Sequence, residues 1–178
     1  MAGSKAVFLD RDGVLNEAPL RQGKPYSPMT LDEVIVPPDV PAALDRLRHD
    51  GFRLIMVTNQ PNIARRSQSR EDVYAINHYL QKLLRLDATE VCEHDDADNC
   101  DCRKPKPGML LRAAARDNIA LAASFLVGDR WRDIEAGRRA GCRTILIGSG
   151  YGENPSSDPD VVVSTLSEAA AWILAQNG

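Results

Sequence analysis

Short apolar runs alternate along the chain with stretches whose apolar residues recur at three- and four-residue intervals. The first run, Ala6–Leu9, stops at Asp10 and predicts a buried strand. Residues 38–50 carry Val40, Ala43, Leu44 and Leu47 at helical spacing, with Gly51 as a stop. The run FRLIMVT over 52–58 reads as a second buried strand. Residues 69–84 read as a helix whose Ser69 and Asp72 form an S-x-x-D capping signal. A short strand follows over 89–92, then a helix opening at Pro107, since proline is tolerated in a first turn. A strand over 124–127, a helix over Trp131–Ala140, a strand at Arg143–Ile147, an edge strand at Val161–Val163 and a helix over 166–174 complete the pattern. This alternation predicts an α/β fold, a three-layer parallel sheet flanked by helices on both faces. With no internal repeat or low-complexity tract, 178 residues suit one domain over 1–178.

Ligands of such sheets sit beyond the carboxyl ends of the strands, so the polar residues there are the candidates. The first strand runs into Asp10 and Asp12, with Gly13 permitting a sharp turn. Two carboxylates this close repel, raising one pKa unless a cation neutralises them. Mg²⁺ prefers such oxygen ligands and leaves room for a substrate phosphate; an exposed turn with incidental acids is the plain alternative. The second strand ends in Thr58, Asn59 and Gln60, a hydroxyl and backbone N–H groups suited to phosphate oxygens, or an ordinary loop. The strand over 124–127 leads to Asp129 and Asp133, four apart and on one helix face if the helix starts early, or simply helix-capping acids. Lys104 lies between these last two segments in RKPKPG. A fixed cation beside carboxylates and a metal is what phosphoryl transfer requires.

One more cluster changes the picture. Cys92, His94, Cys100 and Cys102 follow the spacing C-x-H-x₅-C-x-C, four ligands that suit a closed, structural Zn²⁺ site. The C-x-C pair leaves a redox role as the alternative, though C-x-x-C is absent. Arg103 and Lys104 follow the last ligand directly, so a metal clamp would hold both cations toward the strand ends; a surface role for Arg103 is the alternative. Arg65, Arg66 and Arg70 form either a solvated face or a contact for a second phosphate. Cys142 reads as a small buried residue, and His49 and His78 as helix-surface residues.

The chain is 43% hydrophobic and 26% charged, with a formal net charge of −3, which argues against a nucleic-acid surface. No apolar run approaches the roughly 18 residues of a membrane span. The segment MAGSKAVFLDRDG reaches a charged motif too soon for a secretory signal, giving a cytoplasmic expectation with reduced thiols.

The motifs FLDRDGVLN, VTNQ, IAR, CDCRKPKPGML and VGDRWRD, in this order, resemble the haloacid dehalogenase superfamily, and most closely its zinc-containing branch of heptose bisphosphate and histidinol-phosphate phosphatases. The resemblance spans nearly the whole chain. It implies a Rossmann-like fold with a zinc loop at 92–102; members of the superfamily often carry a cap domain, but no inserted segment here is long enough for a large one. It further implies Asp10 as nucleophile and Asp12 as general acid and base. Mg²⁺ would be held by Asp10, Asp12 through its backbone carbonyl, and Asp129. Thr58, Asn59, Gln60, Arg103 and Lys104 would surround the substrate, with Asp133 in support. The implied substrate is a small sugar phosphate, heptose bisphosphate first and histidinol phosphate second, acted on by a monomer without nucleic-acid or membrane partners. A non-catalytic module stapled by zinc is the reading from a different class. Pro61, Asn62 and Arg66 depart from the branch's usual residues where substrate contacts are expected.

Overall fold

The computed structural model describes residues 3–21, 24–152 and 158–176. Six parallel strands form its central sheet: β1 (Ala6–Leu9), β4 (Arg53–Asn59), β5 (Ala88–Cys92), β6 (Phe125–Gly128), β7 (Arg143–Ile147) and β8 (Val161–Val163). They lie in the order β5-β4-β1-β6-β7-β8. Two further strands, β2 (Leu20–Arg21) and β3 (Lys24–Pro25), pair antiparallel as a separate small hairpin. The helices are α1 (Val40–His49), α2 (Arg70–Leu83), α3 (Gly108–Asp117), α4 (Trp131–Ala140) and α5 (Leu166–Ala175).

The period-two alternation of strand side chains creates two cores. Val7 and Leu9 of β1 join Leu54 and Met56 of β4 against α1, α2 and α5. Ala6 and Phe8 join Ile55 and Val57 against α3 and α4. With both faces covered, central β1 is apolar at every position, as a buried parallel strand must be. The helical spacing seen in the sequence has the same cause: Val40, Ala43, Leu44 and Leu47 are the buried positions of α1. The Ser69 hydroxyl accepts from the Asp72 N–H and opens α2 as expected.

Several predicted bounds shift slightly. β4 extends through Asn59 because its pairing with β5 continues to Asn59 opposite Cys92. β6 runs one residue further, to Gly128, paired with Leu146. α4, β7 and β8 coincide with the sequence reading. The hairpin β2–β3 and the 3-10 turn Leu31–Glu33 carried no periodicity to read, being too short for one. They occupy the segment between β1 and α1, where the described residues form no large cap.

Candidate active site

The sheet order sets β1 between β4 and β6, so the carboxyl ends of all three converge. Asp10, Asp12, Asn59, Lys104, Asp129 and Asp133 line one cavity of about 470 Å³. Its walls are Pro25, Tyr26 and Ser27 beside the hairpin, Pro61, Asn62 and Arg65 after β4, and Arg103, Arg130 and Arg132.

Lys104 joins the floor together. Its Nζ lies 2.8 Å from Asp10 Oδ1, 2.6 Å from Asp133 Oδ1 and 2.9 Å from the Val57 carbonyl. Burial alone would drive the ammonium toward neutrality, but Asp10 and Asp133 outweigh it and keep it charged. The main chain at Lys104 is pinned by Asn59, whose amide donates to the Lys104 carbonyl and accepts from its N–H, each at 3.0 Å. Asp133 has two duties. Its Oδ2 accepts from the Arg130 N–H at 3.1 Å, as a helix-capping acid does, while Oδ1 faces Lys104. Helix α4 starts at Trp131, so Asp129 lies in the preceding loop, yet both carboxylates reach the same floor.

Burial, and then the neighbouring carboxylates, push Asp10 and Asp129 far above the usual carboxylate range. Asp10, Asp129 and Asp133 offer oxygens within 4.8 Å of one another. Asp129 Oδ1 is buried without a hydrogen-bond partner, while Oδ2 accepts from Tyr151 Oη at 2.8 Å. Gly13 makes this packing possible: its φ is +86°, and a Cβ there would lie 1.9 Å from Asp129 Oδ2. Repelling carboxylates with an unpartnered buried oxygen fit a hard divalent cation such as Mg²⁺.

Asp12 is arranged differently. Burial raises its pKa, but the Arg11 guanidinium and hydrogen bonds from Arg11, Asn16 and Ser27 outweigh that and lower it overall. Arg11, fully buried, binds both oxygens through Nε at 3.0 Å and Nη2 at 3.1 Å, and its Nη1 is anchored on Asn77. Nothing local in the sequence marks Ser27 or Tyr151 as partners of the acids, because their contacts cross between distant segments; Arg11 stands between the two acids in the chain, but only the fold shows its guanidinium turning back on Asp12. Thr58 and Gln60 are buried and do not line the cavity. Gln60 Nε2 donates instead to Thr58 Oγ1 at 2.8 Å and to Asp12 Oδ2 at 3.1 Å.

The four zinc-loop residues meet as their spacing predicts. Cys92 Sγ lies 3.7 Å from both Cys100 Sγ and His94 Nδ1, Cys102 Sγ 3.5 Å from Cys100 Sγ, and His94 Nδ1 3.3 Å from Cys102 Sγ. Cys102 Sγ and Cys92 Sγ stand closer, at 3.0 Å, than the edge of about 3.8 Å in a tetrahedron with Zn–S bonds of about 2.3 Å; the four donors are of the type and nearness a structural zinc takes, with that pair opening to admit the ion. All four cysteines of the chain are free thiols, and Cys142 is buried, which pushes its thiol up to about 12. The zinc loop also grips the cavity rim. Arg103 Nε bonds Asp96 at 2.9 Å, Arg132 reaches the same carboxylate at 2.7 Å, and Arg65 clasps Asp95 with two bonds of 2.6 and 2.7 Å. Arg66, at φ +56°, and Arg70, paired with Glu93, lie outside this cavity. His49 and His78 are exposed.

Residues 101–169 match the HAD-hydrolase-like family model. The chain is 35% identical to the D-glycero-D-manno-heptose-1,7-bisphosphate 7-phosphatase of Thermosynechococcus vestitus, over 94% of each chain. It is 33% identical to the D-glycero-beta-D-manno-heptose-1,7-bisphosphate 7-phosphatase of Helicobacter pylori, over 96% of this chain and 97% of that one. Among solved structures, the D,D-heptose 1,7-bisphosphate phosphatase of B. bronchiseptica, complexed with magnesium and phosphate, superposes with a TM-score of 0.81 at 31% identity, covering 97% of this chain and 99% of the other.

Proposed function

Because the chain belongs to the D-glycero-D-manno-heptose-1,7-bisphosphate 7-phosphatases of the haloacid dehalogenase-like hydrolases, we propose that it removes the C7 phosphate of that sugar bisphosphate, within nucleotide-heptose biosynthesis. The observation that carries the reading is the floor of the cavity, where Lys104 stands between Asp10 and Asp133 beside Asp129 and beneath a rim of arginines.

Asp10 is the nucleophile. Lys104 and the Arg11 N–H both bond its Oδ1, which leaves Oδ2 for phosphorus or metal. As the new bond from Asp10 to phosphorus forms, the bond from phosphorus to the sugar oxygen breaks, and Asp12 passes a proton to that oxygen. The negative phosphoryl group beside Asp12 opposes the cationic influence of Arg11 and favours the protonated acid. In the second half, Asp12 takes a proton from water as its oxygen attacks phosphorus, and phosphate leaves Asp10. Mg²⁺, held by Asp10, Asp129 and the backbone carbonyl of Asp12, would relieve repulsion between the carboxylate and the phosphate. Asn59 and Lys104 face the transferring group, and Arg103 faces the rest of the substrate. Thr58 and Gln60 support from behind the wall. Zn²⁺ held by Cys92, His94, Cys100 and Cys102 would stiffen the loop that presents Arg103 and Lys104.

We infer that the enzyme works in the cytoplasm as a single domain, on a soluble sugar phosphate and without nucleic acid. Net charge −3 and thiol ligands that need a reducing compartment support this reading. No helix among the described residues is long and apolar enough to cross a membrane. The test is kcat/KM with Mg²⁺ on both anomers of the heptose bisphosphate, histidinol phosphate and simple hexose phosphates, with Asp10→Asn as control. The bisphosphate should lead and Asp10→Asn should release almost no phosphate. A preference for histidinol phosphate would replace the substrate, and an active Asp10→Asn would remove the covalent mechanism.

A further inference from the structure

Among the described residues, five hydrogen bonds reach the Asp12 carboxylate from four side chains. Oδ1 accepts from Arg11 Nε and Asn16 Nδ2, both at 3.0 Å. Oδ2 accepts from Arg11 Nη2 at 3.1 Å, Gln60 Nε2 at 3.1 Å and Ser27 Oγ at 2.8 Å. Guanidinium and amide nitrogens only donate, so they can hold a carboxylate but cannot accept from a carboxylic acid. The Ser27 hydroxyl can do both by rotating its O–H alone, whereas Gln60 must turn its whole amide to present Oε1, which has no hydrogen-bond partner as placed. Ser27 is also the one of these four partners that lines the cavity beside Asp12.

The segment around Ser27 is fastened by the loop that follows β4. Buried Gln68 donates to the Pro28 carbonyl at 3.1 Å and to the Met29 carbonyl at 2.9 Å. Asn62, itself on the cavity wall, approaches Met29 Sδ at 3.8 Å. The hydroxyl is therefore presented to Asp12 by a stretch that also lines the cavity.

We propose that Ser27 is a positioning residue for proton delivery. Its hydroxyl donates to Asp12 when the carboxyl is ionised and accepts when the carboxyl carries the proton, holding that proton at the cavity edge; as the leaving oxygen takes the proton from Asp12, the Ser27 O–H turns back to donate to the carboxylate that forms. The step served is the one given above: a proton passes from Asp12 to the leaving oxygen as the bond from that oxygen to phosphorus breaks. The proposal rests on Asp12 as the proton-transfer group, and the experiment separates the two claims.

Ser27→Thr and Ser27→Val have side chains of matching shape and differ in the hydroxyl. Both are measured with Mg²⁺ and Zn²⁺ bound, on an alkyl phosphate, whose leaving oxygen must be protonated, and on p-nitrophenyl phosphate, whose leaving group departs without a proton. The quantity compared is kcat/KM, which covers events only through departure of the leaving group. Ser27→Val should lose about tenfold on the alkyl ester, part of the 10²–10⁴ a general acid supplies, and less than about threefold on the nitrophenyl ester. Ser27→Thr should stay within about threefold of the parent on both. Ser27→Ala gives the same comparison if the larger side chains are not accommodated. Equal losses on the two esters, or no loss, overturn the proposal. Asp12→Asn measured on the same pair must show the same bias more strongly. If it does and Ser27→Val does not, Ser27 alone is misassigned; if Asp12→Asn shows no bias, the role of Asp12 falls and that of Ser27 with it.

Discussion

Replacing Lys104 by Met keeps the length of the side chain and removes its charge. In the parent, the Lys104 side chain is 3% exposed, and its Nζ stands 2.8 Å from Asp10 and 2.6 Å from Asp133. Its loss leaves these acids and Asp129 facing one another in a buried site. Breaking a buried ion pair by removing one partner costs about 3–5 kcal/mol. At about 2–4 °C per kcal/mol for a chain of this size, the melting temperature should fall by about 6–20 °C. The fall belongs to the metal-free protein at about pH 8 and should shrink toward about pH 5, where Asp10 and Asp129 take up protons that their raised pKa values allow. Added Mg²⁺ should restore part of the melting temperature by supplying positive charge, but not the activity. Loss of a preorganised cation at a charged transition state costs about 10²–10³ in kcat. Thermal melts by circular dichroism at the two pH values, with and without Mg²⁺, and phosphate release at saturating substrate measure both effects. A variant melting within about 2 °C of the parent at pH 8 without Mg²⁺, and turning over within about tenfold, would refute the assignment of Lys104 as the counter-charge of the floor.

The metal-free protein as a whole should lose stability as pH rises from about 4 toward 8, because folded Asp10 and Asp129 retain protons that the unfolded chain has released. Mg²⁺ displaces those protons, so the melting shift it produces should grow over the same window; a shift larger at pH 5 than at pH 8 would contradict this. Asp95 and Asp96 act with the opposite sign. Arg65 holds Asp95 down, and Arg103 and Arg132 hold Asp96 down, so their contribution is lost only as pH falls below about 4. Stripping zinc, then restoring Mg²⁺ alone, should lower melting temperature and kcat together, and Zn²⁺ should recover both; Cys100→Ser should behave like the stripped protein. Unchanged kcat after verified zinc loss would detach the loop from the active site.

The motifs were local and so readable. Ala6–Leu9, Trp131–Ala140 and Val161–Val163 are legible because a buried strand or helix face leaves its own period in the residues that form it. Cys92, His94, Cys100 and Cys102 are legible because one loop carries all four ligands at short spacing. The acids at three strand ends are visible as candidates because parallel strands carry their loops to one edge.

Which of these residues touch was a different matter, decided by strand order and register. Lys104 meets Asp10 across 94 positions because β4 and β1 are neighbours and the loop after β5 folds back over them. Arg11 and Gln60 sit beside the motif acids in the chain or in space, yet both turn inward, and only the packed wall determines that Gln60 reaches Asp12 rather than the cavity. Ser27 lies in a segment with no period, and two carbonyl bonds from Gln68 place it. Periodicity records how each element meets the core; the direction of a polar side chain depends on which partners the tertiary fold brings within hydrogen-bond reach.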